Sequence, residues 1–109
     1  MIIATRQLKI RTSSGDINVE VRLFKPTNED GMWVCNYEID WPGATKKSFA
    51  GGVDAIQAML LALQKTGIQL YTRDYHRDGS LYWDGSGGGY GFPIMSALHD
   101  LRVGDDSTL

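Results

Sequence analysis

The chain lacks three features that would each assign it to a familiar class: a second cysteine, an excess of positive charge and a long apolar run. Cys35 is the only cysteine, so an intramolecular disulfide cannot form and a secreted disulfide scaffold is excluded. A reducing, cytoplasmic location is the expectation that follows.

Positive charge is not in excess, because 11 basic residues stand against 13 acidic ones and the net charge is only -2. Nucleic-acid-binding surfaces usually show a basic excess, so no nucleic-acid partner is expected. The longest apolar run, Ala58 to Leu63, is far shorter than the roughly 18 residues that span a bilayer. The first residues mix apolar with basic side chains. We therefore expect neither membrane insertion nor classical secretion.

What the chain does contain is typical of one globular domain. Apolar residues make up 42% of its 109 residues and aromatic residues 10%. No repeat or linker divides it, so the sequence predicts a single domain over residues 1–103. The small polar and acidic residues 104–109 are predicted to be a frayed tail.

The first half of the chain has the two-residue alternation of half-buried strands. It runs through residues 7–11, 17–23 and 32–41, and a short fourth strand is predicted over residues 45–50, after a type II turn at Pro42 and Gly43. In the third segment we assign the aromatic and aliphatic set to the core, namely Trp33, Cys35, Tyr37, Ile39 and Trp41.

A helix is predicted over about residues 52–66. Its apolar residues recur at intervals of three and four, and the set expected to face the sheet is Val53, Ile56, Met59, Leu60 and Leu63. Asp54 stands at the start, and Lys65 with Gly67 marks the expected end. If this face is right, Leu60→Asp should unfold the protein.

After the helix, the sequence predicts a C-terminal β-hairpin. Residues 68–73 are interpreted as one strand, Asp78 and Gly79 as the turn, and residues 80–83 as the second strand. A glycine-rich crossing follows, and then a short terminal helix that begins at Pro93. The predicted fold class is α+β: an antiparallel meander of three to four strands, one long amphipathic helix packed on it, then the hairpin and the crossing.

The densest polar cluster surrounds the predicted hairpin turn. On a continuing strand, Asp74, His76 and Asp78 would share one face, where two carboxylates and an imidazole could hold a metal or perform acid–base chemistry. A calcium loop is disfavoured, because His76 and Gly85 occupy positions that need oxygen ligands. The alternative is a solvated hairpin tip.

The glycine-rich stretch Gly85–Gly91 invites a phosphate-loop interpretation, but it lacks the required lysine and does not fit the dinucleotide-binding pattern. The remaining interpretations are a bulged crossing beside aromatic side chains and a mobile flap over a ligand. Cys35 could be a nucleophile with His76 or His99 as its base, but its strand position predicts a buried structural thiol.

Aromatic residues exceed what so small a core needs, so we expect some of them, including Trp83 and Tyr90, to line an exposed surface or a cleft. No catalytic residue, metal ligand or cofactor is predicted. The candidate residues for binding a ligand or partner are Asp74, His76, Asp78, Trp83 and Tyr90.

Four short motifs together resemble a family of small uncharacterised bacterial proteins, catalogued as a domain of unknown function. They are Ile-Ala-x-Arg at residues 3–6, the Trp-x-Cys-x-Tyr strand at 33–37, Gly-Val-Asp-x-x-Gln-Ala at 52–58 and Gly-Phe-Pro at 91–93. The resemblance spans about residues 2–94. It implies a bacterial cytoplasmic protein and assigns no role to any residue.

The function predicted first is a non-catalytic protein-interaction module of an accessory or immunity-like kind, with another protein as its partner. The alternative is a small-molecule-binding protein or minor enzyme with a pocket under the Gly85–Gly91 loop and with His76, Asp74 or Asp78 at its rim. Whether the chain forms a homo-oligomer is left open.

Overall fold

The computed structural model describes residues 1–83 and 89–94 of the chain. Within these residues, six strands form one antiparallel sheet, and one long helix packs against one face of it. The predicted α+β class is therefore confirmed. The predicted terminal helix, the tail over residues 104–109 and most of the glycine-rich crossing lie outside the described residues.

The first five strands form a meander that follows the alternating segments. Their bounds are Ile2–Thr12 (β1), Gly15–Phe24 (β2), Thr27–Glu29 (β3), Met32–Trp41 (β4) and Ala44–Gly52 (β5). β4 pairs along one side with β5, and along the other with β2 and the short β3, while β1 pairs with β2. The four predicted strands are confirmed, and the short β3 was not foreseen.

The core lies on the face of the sheet predicted from the aromatic alternation of β4. Cys35, Tyr37 and Ile39 are completely buried, and Trp41 is nearly so. Alternate residues of the neighbouring strands complete this apolar layer, namely Leu8, Ile10, Val19, Val21 and Ala50.

The helix α1 covers Ala55–Tyr71, so the prediction of residues 52–66 places both ends wrongly. Asp54 is the N-cap and accepts a hydrogen bond from the backbone of Gln57, whose side chain accepts one from the backbone of Val53. At the other end the helix runs straight through Gly67. A β-carbon there would lie 2.8 Å from the Ile94 side chain, so glycine lets residues 92–94 approach.

Because the helix continues, the predicted strand over residues 68–73 is wrong, and so is the hairpin built from it. Leu70 extends a buried stripe at four-residue spacing, and this packing outweighs the glycine as a helix stop. The second predicted strand survives as β6, Leu81–Tyr82, but it pairs antiparallel with β1. The residues between, Asp74–Arg77, form a single helical turn, α2.

The face assigned to the helix is also wrong in part. The residues in the seam with the sheet are small or lie late in the helix: Ala58, Ala62, Thr66, Gly67, Leu70 and Tyr71. Met59 and Leu63 pack against the core as expected, but Val53, Ile56 and Leu60 are 81%, 72% and 47% exposed. The small side chains bring the helix close to large residues on the sheet, which fill the space instead.

This corrected face changes the expected effect of a buried charge. Ala62→Asp puts a carboxylate where neither water nor a partner compensates it, at a cost of about 3–5 kcal/mol, which is a large part of the roughly 5–15 kcal/mol that stabilises a domain. Leu60→Asp should leave the fold intact. Urea unfolding of the two variants tests this, and a Leu60→Asp protein as unstable as Ala62→Asp would contradict the helix orientation.

Candidate functional site

The predicted binding residues His76 and Tyr90 belong to a cluster of aromatic rings at the C-terminal end of α1. His76 lies edge-on to Tyr71 and Tyr90, with ring centroids 4.7 Å and 5.6 Å away. Trp41 and Tyr75 stack beside them, and the Arg73 guanidinium lies 4.5 Å from the Trp41 ring. The cluster joins β4, α1, α2 and the segment 89–94 into one packed unit.

Within this cluster His76 makes a short polar contact. Its Nδ1 atom lies 2.5 Å from the hydroxyl of Tyr90, and burial lowers the pKa of His76 below its ordinary value. The neutral ring is therefore favoured at neutral pH, and one of its nitrogens is engaged by a phenol that is itself buried. The geometry makes His76 a packing contact for residues 89–94.

Asp74 and Asp78 do not join His76 in a common site. Both carboxylates are exposed: Asp74 pairs with Arg77 at 2.5 Å, and Asp78 accepts hydrogen bonds from the backbone and hydroxyl of Ser80. The bonds from Ser80 lower the pKa of Asp78. The expected shared strand face is wrong because these residues form a helical turn, which spreads successive side chains around its axis.

Trp83 lies half-buried beneath Arg6, a residue that sequence analysis mentioned only within a motif. The Arg6 guanidinium lies 4.0 Å from the Trp83 ring and donates hydrogen bonds to the carbonyls of Tyr90 and Gly91, at 3.1 and 3.0 Å. A β-carbon on Gly91 would lie 2.4 Å from Arg6, and φ at Gly91 is +81°. Glycine is therefore required there for two separate reasons.

A small cleft of about 170 Å³ opens between α1 and the ends of β1 and β2. Its walls are mainly apolar and include Leu23, Leu63 and Phe92, while Arg6 and Thr66 add polar atoms. Gly91 and Pro93 close one side, so the cleft lies next to the predicted glycine-rich loop. Asp74, His76 and Asp78 do not line it.

An exposed apolar surface lies at the opposite side of the helix, along β5. Met32, Phe49 and Val53, exposed by 56%, 54% and 81%, line one shallow groove together with Gly51, Gly52 and Gln57. We call Met32, Phe49 and Val53 the edge patch. The groove is apolar because of these three side chains, and it stays open because the two glycines have no side chains to fill it; a β-carbon on Gly51 would lie 3.0 Å from the Met32 sulfur.

The edge patch contains one aromatic residue, Phe49, and neither Trp83 nor Tyr90, which were predicted to line a binding surface. Among the eleven aromatic residues, all of which are described, only Phe49 is exposed. The others are buried or half-buried, most of them in the core, the aromatic cluster or beneath Arg6. A signal for Phe49 did exist: it stands out of phase with the core residue Ala50, opposite the polar Asn36 of β4.

The outer face of the sheet carries charge. Arg22 lies within 3.0 Å of carboxylate oxygens of Glu20, Glu38 and Asp40. It donates to both oxygens of Asp40, which also accepts a hydrogen bond from Thr45. These bonds, with Arg22 the largest cause, lower the pKa of Asp40 to about 2, and the three carboxylates raise the pKa of Arg22.

Cys35 is completely buried, as its strand position predicted. Its Sγ atom lies 3.3 Å from the carbonyl oxygen of Phe24, and burial raises the pKa of the thiol. A protonated thiol inside the core is a poor nucleophile. Among residues 1–83 and 89–94, no group of three or more His, Cys, Asp or Glu side chains is arranged to hold a metal ion.

Within the part of the chain that the structure describes, no helix has the length and apolarity needed to cross a membrane. Among residues 1–83 and 89–94, the fold and surface define a small α+β domain with one long helix, a charged sheet face and an exposed apolar edge. The chain belongs to the family of the domain of unknown function DUF6968, whose model matches residues 4–94. This confirms the resemblance to an uncharacterised family. No curated protein and no solved structure is significantly similar.

The charged sheet face makes a testable prediction about acid stability. Because the folded pKa of Asp40 is about 2, below the ordinary value of about 3.9, its stabilising effect is complete above that ordinary value and is lost as the pH falls toward 2. Asp40→Asn should therefore be less stable than wild type at neutral pH, and the difference should disappear near the folded pKa. Urea midpoints measured across this range test it.

Asp30→Asn is the matched control for this measurement, because Asp30 is exposed in a turn at the end of the sheet. Its urea midpoint should follow that of wild type at every pH. If the urea midpoints of wild type and Asp40→Asn differ by the same amount at every pH, the bonds from Arg22 to ionised Asp40 do not stabilise the fold.

Proposed function

We propose that the protein is a non-catalytic protein-interaction module that binds its partner at the edge patch. The observation that carries the proposal is the exposure of Met32, Phe49 and Val53 around one apolar groove beside an edge strand. Contiguous apolar surface beside polar surroundings is typical of sites where proteins associate. An uncovered apolar edge favours aggregation. A partner that covers the edge patch would explain why this surface is present.

The chemistry of the other candidates supports a binding role. His76 is engaged with Tyr90, Cys35 is a buried thiol, and Asp74 and Asp78 serve a helical turn. Each of these groups has a structural task in the described part of the chain. A lone buried thiol is stable in a reducing compartment, which supports a cytoplasmic location as part of the same proposal, and we keep the bacterial origin implied by the resemblance.

The proposal is tested by affinity capture from source cells with wild-type protein and with the double variant Phe49→Glu and Val53→Glu. Both positions are exposed, so the fold should survive, which circular dichroism checks. We expect one protein, identified by mass spectrometry, to bind wild type and to lose most of its binding to the double variant. Binding is then repeated with the purified pair.

Ile17→Glu is the control, because Ile17 is also an exposed apolar residue but lies at the far end of the β1–β2 hairpin. It should bind like wild type. If the captured protein binds the double variant as tightly as wild type, the edge patch is not the site.

A second candidate function is the binding of a small apolar molecule in the cleft beside Gly91. Its volume of about 170 Å³ is close to that of engineered cavities that hold benzene, roughly 150 Å³. Sites for cofactors and drug-sized ligands usually exceed about 300 Å³. The cleft therefore suits a small aromatic molecule of one ring or two fused rings, and its size argues against a larger substrate.

Indole is a suitable probe for this cleft. We expect indole to shift the methyl resonances of Leu23 and Leu63, which line the cleft, and to leave those of exposed Val53 unchanged. Leu63→Trp, which fills the cleft from α1, should abolish the shifts. Shifts of equal size at Val53, or none at millimolar indole, would remove the second candidate.

A further inference from the structure

We propose that the partner adds an extended strand to the free edge of β5, and that this strand carries acidic residues opposite Lys46 and Lys47 and apolar residues opposite Phe49 and Gly51. The inference rests on the proposed function and specifies the partner's chemistry. It follows from three observations: the direction of the β5 main chain, the charge of β5, and a lysine that caps its edge.

The main chain of β5 presents hydrogen-bonding groups to solvent. Trp41 and Ala44 flank the two-residue turn and therefore face each other through their main-chain groups. Successive residues alternate, so the N–H and C=O groups of the intervening residues point away from β4: Thr45, Lys47, Phe49 and Gly51. Within residues 1–83 and 89–94, no strand pairs with this side of β5. It is a template for strand addition.

The edge is also positively charged. β5 contains Lys46 and Lys47, both exposed, and no acidic residue. Glu38, which stands opposite Lys47 on β4, is already held by Arg22 at 2.9 Å. Opposite charges in directly facing positions of a sheet attract, and like charges repel. A strand with two adjacent acids is therefore the one that fits this half of β5.

Lys65 supplies an independent sign of this selectivity. Its Nζ atom reaches from α1 to the edge and donates to the carbonyl oxygen of Phe49 at 2.5 Å, while lying 5.6 Å from the Phe49 ring. A lysine in this place guards an edge against unselective pairing. An incoming strand must displace it from the carbonyl, and an acidic strand offers the ammonium group a carboxylate in exchange.

The same charges argue against a second copy of this chain as the occupant. Pairing β5 with its symmetry mate would bring Lys46, Lys47 and Lys65 of both copies to one seam without an acidic residue from either strand. The C-terminal half of β5 is apolar and suits any strand with β-branched residues, since Phe49 and Gly51 form an open groove with Met32. We therefore expect the partner strand to contain acidic residues next to apolar ones.

The probe is an eight-residue peptide with blocked ends, Thr-Val-Val-Val-Thr-Glu-Glu-Thr, whose order matches antiparallel addition. Nitrogen-15 NMR titration of the full chain should shift the amide signals of Thr45, Lys47, Phe49 and Gly51. The same peptide with lysine in place of both glutamates should bind at least about tenfold more weakly, since facing charge pairs turn from attraction to repulsion.

Two protein variants separate charge from fold. The double variant Lys46→Glu and Lys47→Glu should weaken binding of the glutamate peptide at least about tenfold and restore binding of the lysine peptide, because both facing charge pairs are then reversed. Lys25→Glu removes an exposed lysine that lies outside the sheet edge and should change neither. Methylating alternate peptide amides tests the strand geometry: one alternate set should abolish binding, and the other should be tolerated.

Three outcomes would overturn the inference: no shifts along β5 at millimolar peptide, equal binding of the two peptides, or a concentration-dependent dimer in which the β5 signals shift without peptide. These outcomes leave the proposed function testable on its own. If capture of a partner still depends on Phe49 and Val53 while the peptides do not bind, the partner uses the edge patch without adding a strand.

Discussion

The contacts of Arg6 hold the start of the chain against its last described segment, residues 89–94. From β1 this arginine stacks on Trp83 and donates to the carbonyls of Tyr90 and Gly91. A guanidinium can satisfy two carbonyls and cover an aromatic ring at once, which a lysine ammonium could not do with the same geometry. Residues 92–94 are thereby positioned against Gly67 and pack on the helix. Two of the short motifs, Ile-Ala-x-Arg and Gly-Phe-Pro, are parts of this one contact.

The small residues of α1 have a consequence at the surface. Since Ala58, Ala62 and Thr66 occupy the seam, the helix lies close to the sheet, and its bulkier residues Ile56 and Leu60 are displaced to the exposed side. The exposure of Ile56 and Leu60 is therefore produced by the packing that builds the core. Phe49 is exposed for a different reason: it alternates with the buried Ala50 and so lies on the face of the sheet away from the helix, and Lys65 reaches its carbonyl oxygen from α1.

How much could be predicted from the sequence depended on whether the signal was local. The alternation within β4 predicted the core face and the burial of Cys35, because a two-residue period is read within one strand. The other alternating segments and the turn at Pro42 and Gly43 predicted the rest of the four main strands. The extent of α1 could not be read in this way. Gly67 looks like a helix end, but the buried stripe continues to Leu70, and residue 67 is glycine because residues 92–94, distant in sequence, pack against it. Because the end of α1 was placed too early, Asp74, His76 and Asp78 were predicted on one strand face, whereas they lie in and just after a helical turn.

The candidate site was harder to predict for a related reason. An aromatic residue counts toward a binding surface only if it is exposed, and exposure is a property of the packed layers. Trp83 and Tyr90 were singled out by residue type, yet Arg6 and His76 enclose them. The exposure of Phe49 is not predicted from the sequence, because the lysine-rich segment around it has no clear two-residue alternation. An edge strand can be recognised only when the order of the strands in the sheet is known. Lys46 and Lys47 can be interpreted as edge charges only because, among the described residues, no strand pairs with the outer side of β5.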